Sequence, residues 1–336
     1  MNVMKHQLKK LFKHRSEYYF AMFFRRVSRK KFKKFLLALG LERGMVVFVH
    51  CSLSRLGYFS GGANDIISVL KEVVGDTGTI IMPAFSGSGS MEALLENEYV
   101  FDVMNSQSDS GFLTEKFRQY PGVVRSLHPS HSVCALGKLA DQIVSEHELS
   151  TSPCDVKSPF AKLSKYDAKV LRLGTGSLTL YHHVQELVEY PNLFLPGNFD
   201  FSCIDKEGEK INVMSKVYRK QIANIFFIGD DKDGQKLNVH PSNFPLLYGG
   251  NREQFLQQDA QRQHILKQLL AIRLVFEGKG WLSRKKLNSC HCELFSAKEY
   301  IKYSVKHASA LIELNRDKYE LNNLRRLLAN GEYPEK

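Results

Sequence analysis

No window of this 336-residue chain holds the eighteen or so consecutive apolar residues that a membrane span requires. The first forty residues lack the apolar core and small-residue cleavage site of a secretion signal, so the cytoplasm is the expected compartment. Six cysteines, at 51, 134, 154, 203, 290 and 292, are too scattered for a disulfide framework and read as reduced thiols. "SCHC" at 289–292 has no C-x-x-C partner elsewhere, which favours an ordinary loop or strand over structural zinc, and no metal is expected. Walker, G-x-G-x-x-G and H-E-x-x-H patterns are all missing. So are RRM, KH, zinc-finger and leucine-zipper signatures, and no nucleic-acid partner is expected. Neither an internal repeat nor a low-complexity linker divides the chain.

What is present is globular: 43% hydrophobic and 24% charged residues, enough length to bury a sizeable core. The formal charge is +12, and much of it falls in the first 35 residues, where Lys9, Lys10, Arg25, Arg26, Lys30, Lys34 and others interleave with Phe and Tyr. That pattern reads as the solvated face of amphipathic helices, or as attraction to an anionic membrane surface, nucleic acid or a phosphorylated ligand.

The apolar run "VVFVH" at 46–50 reads as a buried strand. A Ser/Gly-rich loop, a helical segment closed by Gly75 and a second buried run, "GTIIMPAF", follow it. Strand, loop, helix and strand within about forty residues form a βαβ unit, so an α/β fold with a mixed, partly parallel sheet is expected. "SGFLTEKFRQYPG" reads as a helix with Ser110 as its cap, "HSVCALG" and "DAKVLRLG" as strands, and "YHHVQELVEY" as a helix. Beyond it, "FSCIDKEGEKINVM" reads as a hairpin. Residues 250–272 and "LFSAKEYIKYSVKHASALIEL" read as amphipathic helices, the second capped by Ser296. Three segments are expected: a basic helical region over 1–35, a catalytic domain over 36–310 and a charged helical tail over 311–336.

Two fragments carry chemistry. "HHVQE" sets His183 and Glu186 three apart on one helical face, where a carboxylate can hold one imidazole tautomer; solvated histidines at a helix start are the plain alternative. "HCSLSRLGYFSGG" presents backbone N–H groups and hydroxyls after a buried strand, suited to phosphate or pantetheine, or simply to a connecting loop.

In order and at familiar spacings, "VHCSLSRLG", "GTIIMPAFS", "FDVMNSQSDSGFLTEKFRQYPGVVRSLHPSHSVCALG", "SPFAKLSKYDAKVLRLGTG" and "HHVQE" resemble the aminoglycoside 3-N-acetyltransferase family. The resemblance is dense from about 30 to 190 and returns at "ELFSAKEYIKYSVKH". It implies acetyl-CoA as co-substrate, held by Ser52, Leu53, Ser54 and Ser132, with Asp102 and Ser108 toward the acceptor. It also implies His183 as base, Glu186 as its carboxylate partner and His128 at the cleft; His131 falls on an unspecified position. Ser106-Gln107 departs from a usual Thr-Pro, and Leu180 stands where the family has a polarising threonine, with Thr179 beside it. A chain at +12 suits an anionic acceptor better than a polycation, so the leading expectation is acetylation of a nucleotide-linked amino sugar for a surface polysaccharide. An aminoglycoside resistance enzyme is the alternative, and a non-catalytic relative docking on a membrane or assembly is a third. An oligomer and peripheral membrane contact through the basic segment are both open partners.

Overall fold

The computed structural model describes residues 22–87, 89–175, 178–190, 193–219 and 276–314. The expected helix over 250–272, the tail past 314 and residues 1–21 lie outside them. Helix α1 (Arg29–Leu39) starts at Ser28, whose hydroxyl accepts the Lys31 N–H, and stops at Gly40 in a left-handed conformation. It runs through residue 35 and buries Phe32, Leu36 and Leu39, so the described part of the basic segment packs into the domain.

Strand β1 (Val46–Cys51) is buried along nearly its whole length, as a central strand covered on both faces must be. It leads through a one-turn α2 (Leu53–Leu56) and α3 (Gly62–Val74) to β2 (Thr79–Pro83), which pairs parallel with β1 from Val46 opposite Thr79. Then come α4 (Met91–Glu96), β3 (Phe101–Asp102), α5 (Phe112–Arg118), β4 (Val124–Arg125), β5 (Val133–Gly137), α6 (Ala140–Val144) and α7 (Pro159–Lys165). Strand β6 (Lys169–Leu173), helix α8 (Leu180–Leu187), the hairpin β7 (Phe199–Ile204) and β8 (Lys210–Ser215), then β9 (Leu282–Leu287), β10 (Cys290–Ser296) and α9 (Ala297–Leu314) complete it.

Seven strands form one mixed sheet in the order β4-β5-β2-β1-β6-β10-β9, with β2, β1 and β6 parallel at its centre. Successive β1 side chains point to opposite faces. Val47 and Val49 join Phe32, Leu36, Ile66, Leu70 and Phe117 beneath α1, α3 and α5. Val46 and Phe48 join Phe160, Leu180, Val184 and Tyr300 beneath α7, α8 and α9. The hairpin β7–β8 takes β3 alongside as a second sheet with its own apolar cluster around Phe101, Phe201 and Val213. The mouth of the central sheet, at the carboxyl ends of β1, β2 and β6, is where open α/β sheets bind ligands.

Cys290 and Cys292 lie on β10, so "SCHC" is the strand of the two readings. Ser296 accepts the Glu299 N–H as the expected cap, at 3.3 Å. Ser110 does not cap α5, which begins after Gly111; its hydroxyl instead accepts the Phe85 N–H at 3.0 Å. Among the described residues no helix is long and apolar enough to cross a membrane.

Candidate active site

The loop after β1 forms one wall of a cleft of about 1040 Å³. Ser52 is anchored by its N–H to the Leu173 carbonyl at 2.9 Å, and Ser52, Leu53 and Ser54 all line the cleft. At Gly57 the backbone takes φ +123°, and a Cβ there would lie 2.2 Å from the Arg25 carbonyl oxygen. That close approach lets residues 25–27 zip onto the loop: Tyr58 N–H donates to Arg25 O at 3.0 Å and Val27 N–H to Tyr58 O at 2.8 Å. The Asn288 amide of the β9–β10 turn donates to the Leu56 carbonyl at 3.1 Å and fixes the same junction. Arg25 and Arg55 thereby line the cleft, together with Ser110, Gly111, Phe112 and Thr114. His50 also lines it; the residue is buried and its Nε2 has no hydrogen-bond partner.

Ser132 is not part of this wall. It is fully buried, donates to the Ala84 carbonyl at 2.6 Å and accepts from Arg125 Nε at 3.1 Å, which corrects its expected contact with coenzyme to a scaffold role. Arg125 is a hub. Its guanidinium donates to Ser106 O and Ala84 O, both at 2.5 Å, and to Ser86 Oγ at 2.6 Å, and it lies over the Phe101 ring. A buried cation needs its donors satisfied, and carbonyls and hydroxyls do this here. Asp102 and Ser108 also belong to this framework. Asp102 accepts the Met104 and Asn105 N–H groups at 2.8 and 2.9 Å, which shapes the turn after β3. Ser108 meets the Thr114 hydroxyl at 3.0 Å, behind the cleft wall. Neither side chain is among those that line this cleft.

Helix α8 carries the second half of the site. His183 is 5% exposed, and its Nδ1 lies 2.6 Å from the Cys154 carbonyl. A carbonyl only accepts, so Nδ1 bears the proton and Nε2 keeps its lone pair. Burial holds the His183 pKa below the ordinary value, with the Cys154 carbonyl and Asp155 opposing. Glu186 does not turn to His183 as expected. Its carboxylate accepts from Ser152 Oγ at 2.5 Å, from the Cys154 N–H at 2.9 Å and from the Tyr218 hydroxyl. The two side chains grip one residue of the connection: His183 takes the Cys154 carbonyl, and Glu186 takes the Cys154 N–H. Burial pushes the Glu186 pKa up to about 7 despite those three donors.

His128 is fully buried. Its Nδ1 accepts the Ser130 and His131 N–H groups at 3.3 and 3.2 Å, and its ring stacks on His147 at 4.5 Å. Burial, then His147, drive its pKa well below the ordinary value. His128 therefore holds the 128–131 turn through its Nδ1, and its ring is uncharged near neutral pH. His131, assigned no role from its position in the pattern, sits at the centre instead, its ring against Phe85, His182 and Tyr218 at 4.5, 5.3 and 5.1 Å. Sequence reasoning also missed His147, Ser152, Cys154 and Tyr218. His147 bonds the Ser126 hydroxyl and the Pro153 carbonyl, both at 2.9 Å, and so steadies the segment that grips α8. Phe85 joins the two halves: its N–H binds Ser110 of the cleft wall and its ring meets His131.

Comparison with known proteins places this geometry. Residues 48–309 match the family model described as aminoglycoside 3-N-acetyltransferase. The chain is 33% identical over 178 residues to aminoglycoside N(3)-acetyltransferase IX of Micromonospora chalcea, covering 48% of this chain and 63% of that protein. It is 34% identical over 194 residues to the SPbeta prophage-derived aminoglycoside N(3')-acetyltransferase-like protein YokD of Bacillus subtilis (strain 168), covering 52% and 70%. A solved structure titled AAC-IIIb binary with CoASH shares the fold, with a TM-score of 0.62, 23% identity and coverage of 85% of this chain and 97% of that one. The family model spans both the cleft and the α8 cluster, and the chain belongs to the aminoglycoside 3-N-acetyltransferase family.

Proposed function

We propose that the protein transfers the acetyl group of acetyl-CoA to a primary amine of an aminoglycoside-type amino sugar, at the 3-amino position for which the relatives are named. The observation that carries this reading is the His183 tautomer. With Nδ1–H committed to Cys154, Nε2 has one lone pair and a neutral ring, which is what removing a proton from an attacking amine requires. The amine nitrogen forms its bond to the acyl carbon, the carbon–sulfur bond breaks with its electron pair going to sulfur, and the amine proton passes to His183 Nε2. Glu186 acts as a positioning residue, since it holds the N–H of Cys154, the residue whose carbonyl orients His183.

Coenzyme A suits the cleft on this chain's own features. The Ser52–Ser54 loop offers N–H and hydroxyl donors, Arg25 and Arg55 offer cations for phosphate, and His50 Nε2 is a buried polar atom awaiting a partner. When bound, the thioester supplies the activated acyl group.

The expectation of a nucleotide-linked acceptor rested on net charge, whereas the relatives are named for aminoglycosides, and three cations of the basic segment are engaged on the fold itself. On α1, Arg29 pairs with Asp65 at 3.3 Å, Lys33 pairs with Glu72 at 2.5 Å and Lys31 bonds Asn288 at 2.8 Å. These cations serve the packing of α1 and do not surround an acceptor. A thiol-release assay with acetyl-CoA against gentamicin, kanamycin and a UDP-linked amino sugar tests the reading. Turnover of the aminoglycosides is expected. Release only with the nucleotide-linked sugar overturns the acceptor, and release with none overturns the reaction.

A further inference from the structure

His50 is the most conspicuous polar group that the mechanism above leaves unused. It is 3% exposed, lines the cleft, and keeps a ring nitrogen, Nε2, without a partner. A buried donor or acceptor left unpaired is costly, so a position that retains one points to a ligand atom. His50, Pro83 and Thr175 line the cleft where β1, β2 and β6 end. Two residues past Pro83 the Phe85 ring meets His131, and α8, which carries His183, begins at Leu180, five positions past Thr175. A thioester presented from this cleft toward His183 therefore passes the strand ends that carry His50.

We propose that His50 contacts the acyl carbonyl of the bound thioester, its Nε2–H donating to that oxygen as the amine attacks. This deepens the proposed function and rests on it. No bond to His50 forms or breaks; the amine proton goes to His183 and the carbon–sulfur electron pair to sulfur. Preorganised N–H donors aimed at an oxygen that gains charge are among the strongest contributions to acyl transfer. The fold keeps this imidazole uncharged. His50 lies opposite Arg172 across β1 and β6, and Arg172 bonds Glu293 at 3.2 Å, which in turn meets Arg284 at 3.2 Å on β9. Burial first, and Arg172 second, lower the His50 pKa to about 3, so at neutral pH the ring is uncharged with a single N–H, which the proposed contact assigns to Nε2. The competitor for the same oxygen is Thr179, whose hydroxyl is also buried without a partner, beside Leu180.

The test is calorimetry of CoA and acetyl-CoA on the full-length wild type and on His50→Gln, His50→Leu and Thr179→Val, with steady-state rates alongside. A hydrogen bond to the acyl oxygen makes wild type bind acetyl-CoA roughly fivefold tighter than CoA. His50→Leu is expected to abolish that ratio while still binding CoA, and to lower kcat by roughly a hundredfold or more with the acceptor KM unchanged. His50→Gln, which keeps an N–H near the Nε2 position, is expected to retain most of both; Thr179→Val is expected to retain all. A ratio that survives in His50→Leu, or is lost in Thr179→Val instead, overturns the proposal. Should His50→Leu fail to fold, the His50 Nε2 resonance of ¹⁵N-histidine-labelled wild type decides. It is expected to move on adding acetyl-CoA and not on adding CoA, and the same response to both overturns the contact. Wild type that binds neither ligand overturns the proposed function itself, and the contact with it.

Discussion

The cleft and the α8 cluster are neighbours built on opposite principles. The cleft presents backbone, short hydroxyls and two arginines, and its shape depends on one glycine approached by another strand of backbone. The cluster packs His128, His131, His147 and His183 into a space with almost no exposed surface, with Glu186 half-buried beside them and each imidazole locked by its partners. One half offers a ligand shape and charge. The other sets protonation states by burial. The comparison predicts that damage to the cluster appears in kcat and in pH dependence, and damage to the cleft in coenzyme affinity.

The largest effect is expected at His183. His183→Ala removes the only Nε2 lone pair on α8 that a Cys154-bound tautomer presents, and is expected to lower kcat by at least ~100-fold. Calorimetry should show CoA affinity within about twofold of wild type. A comparable loss of CoA affinity breaks the division between the two halves.

Glu186 comes next and is read through stability. Its folded pKa, about 7, lies above the ordinary 4.5, so between those values the folded protein holds a proton that the unfolded chain has released. The contribution is full below pH 4.5 and is lost as pH rises through 7. A shift of this size is worth about 3 kcal/mol. Denaturant titrations at pH 5 and 8 are expected to show wild type losing roughly that much more stability than Glu186→Gln, whose amide does not titrate. Parallel curves for the two proteins sink the assignment.

How much of this was readable beforehand divides along the same line. The β1 strand and the Ser-rich loop on one side of the cleft were legible because they are contiguous, whereas Arg25, the 110–114 wall and the Asn288 turn come from distant segments. The cluster was legible only at His183 and Glu186. The residues that hold them, Ser152, Cys154 and Tyr218, lie about thirty positions away, and no local pattern announces a backbone carbonyl as a partner. Strand β9 escaped notice because "LSRKKL" carries the charges with which edge strands avoid mispairing, and this hides its alternation. Ser110 was misread as a cap because a serine ahead of a helix has more than one use, and here the Phe85 N–H claims it. The burial of His128 escaped notice as well, since 0% exposure cannot be read from a His-Pro dipeptide.

A smaller effect is expected at Gly57. Alanine there must hold φ +123° with its Cβ against the Arg25 carbonyl, so the junction between the loop and residues 25–27 has to open. CoA affinity is expected to fall by about tenfold, or 1.4 kcal/mol, with kcat at saturating coenzyme little changed. A kcat that falls with an unaltered dissociation constant places Gly57 with the cluster instead.

The smallest effect sharpens the comparison by separating charge that lines the cleft from charge that does not. Arg55 is exposed and stands in the cleft, so its attraction for a coenzyme phosphate is screened over about 8 Å at physiological salt. Lys30 and Lys34 are also exposed, but they sit one residue beyond Arg29 and Lys33, the two that face α3, and neither lines the cleft. Arg55→Gln is therefore expected to weaken CoA binding about fivefold at low salt and to flatten the dependence of that affinity on salt. The double change Lys30→Gln with Lys34→Gln is expected to move it by less than about twofold, although it removes twice the charge. Isothermal titrations at 20 mM and 300 mM salt, roughly spanning a twofold or greater change in screening length, compare the two directly. If the lysine pair alters affinity or its salt slope as much as Arg55 does, the net charge of the molecule governs coenzyme capture, and the placement of cations on the cleft wall does not.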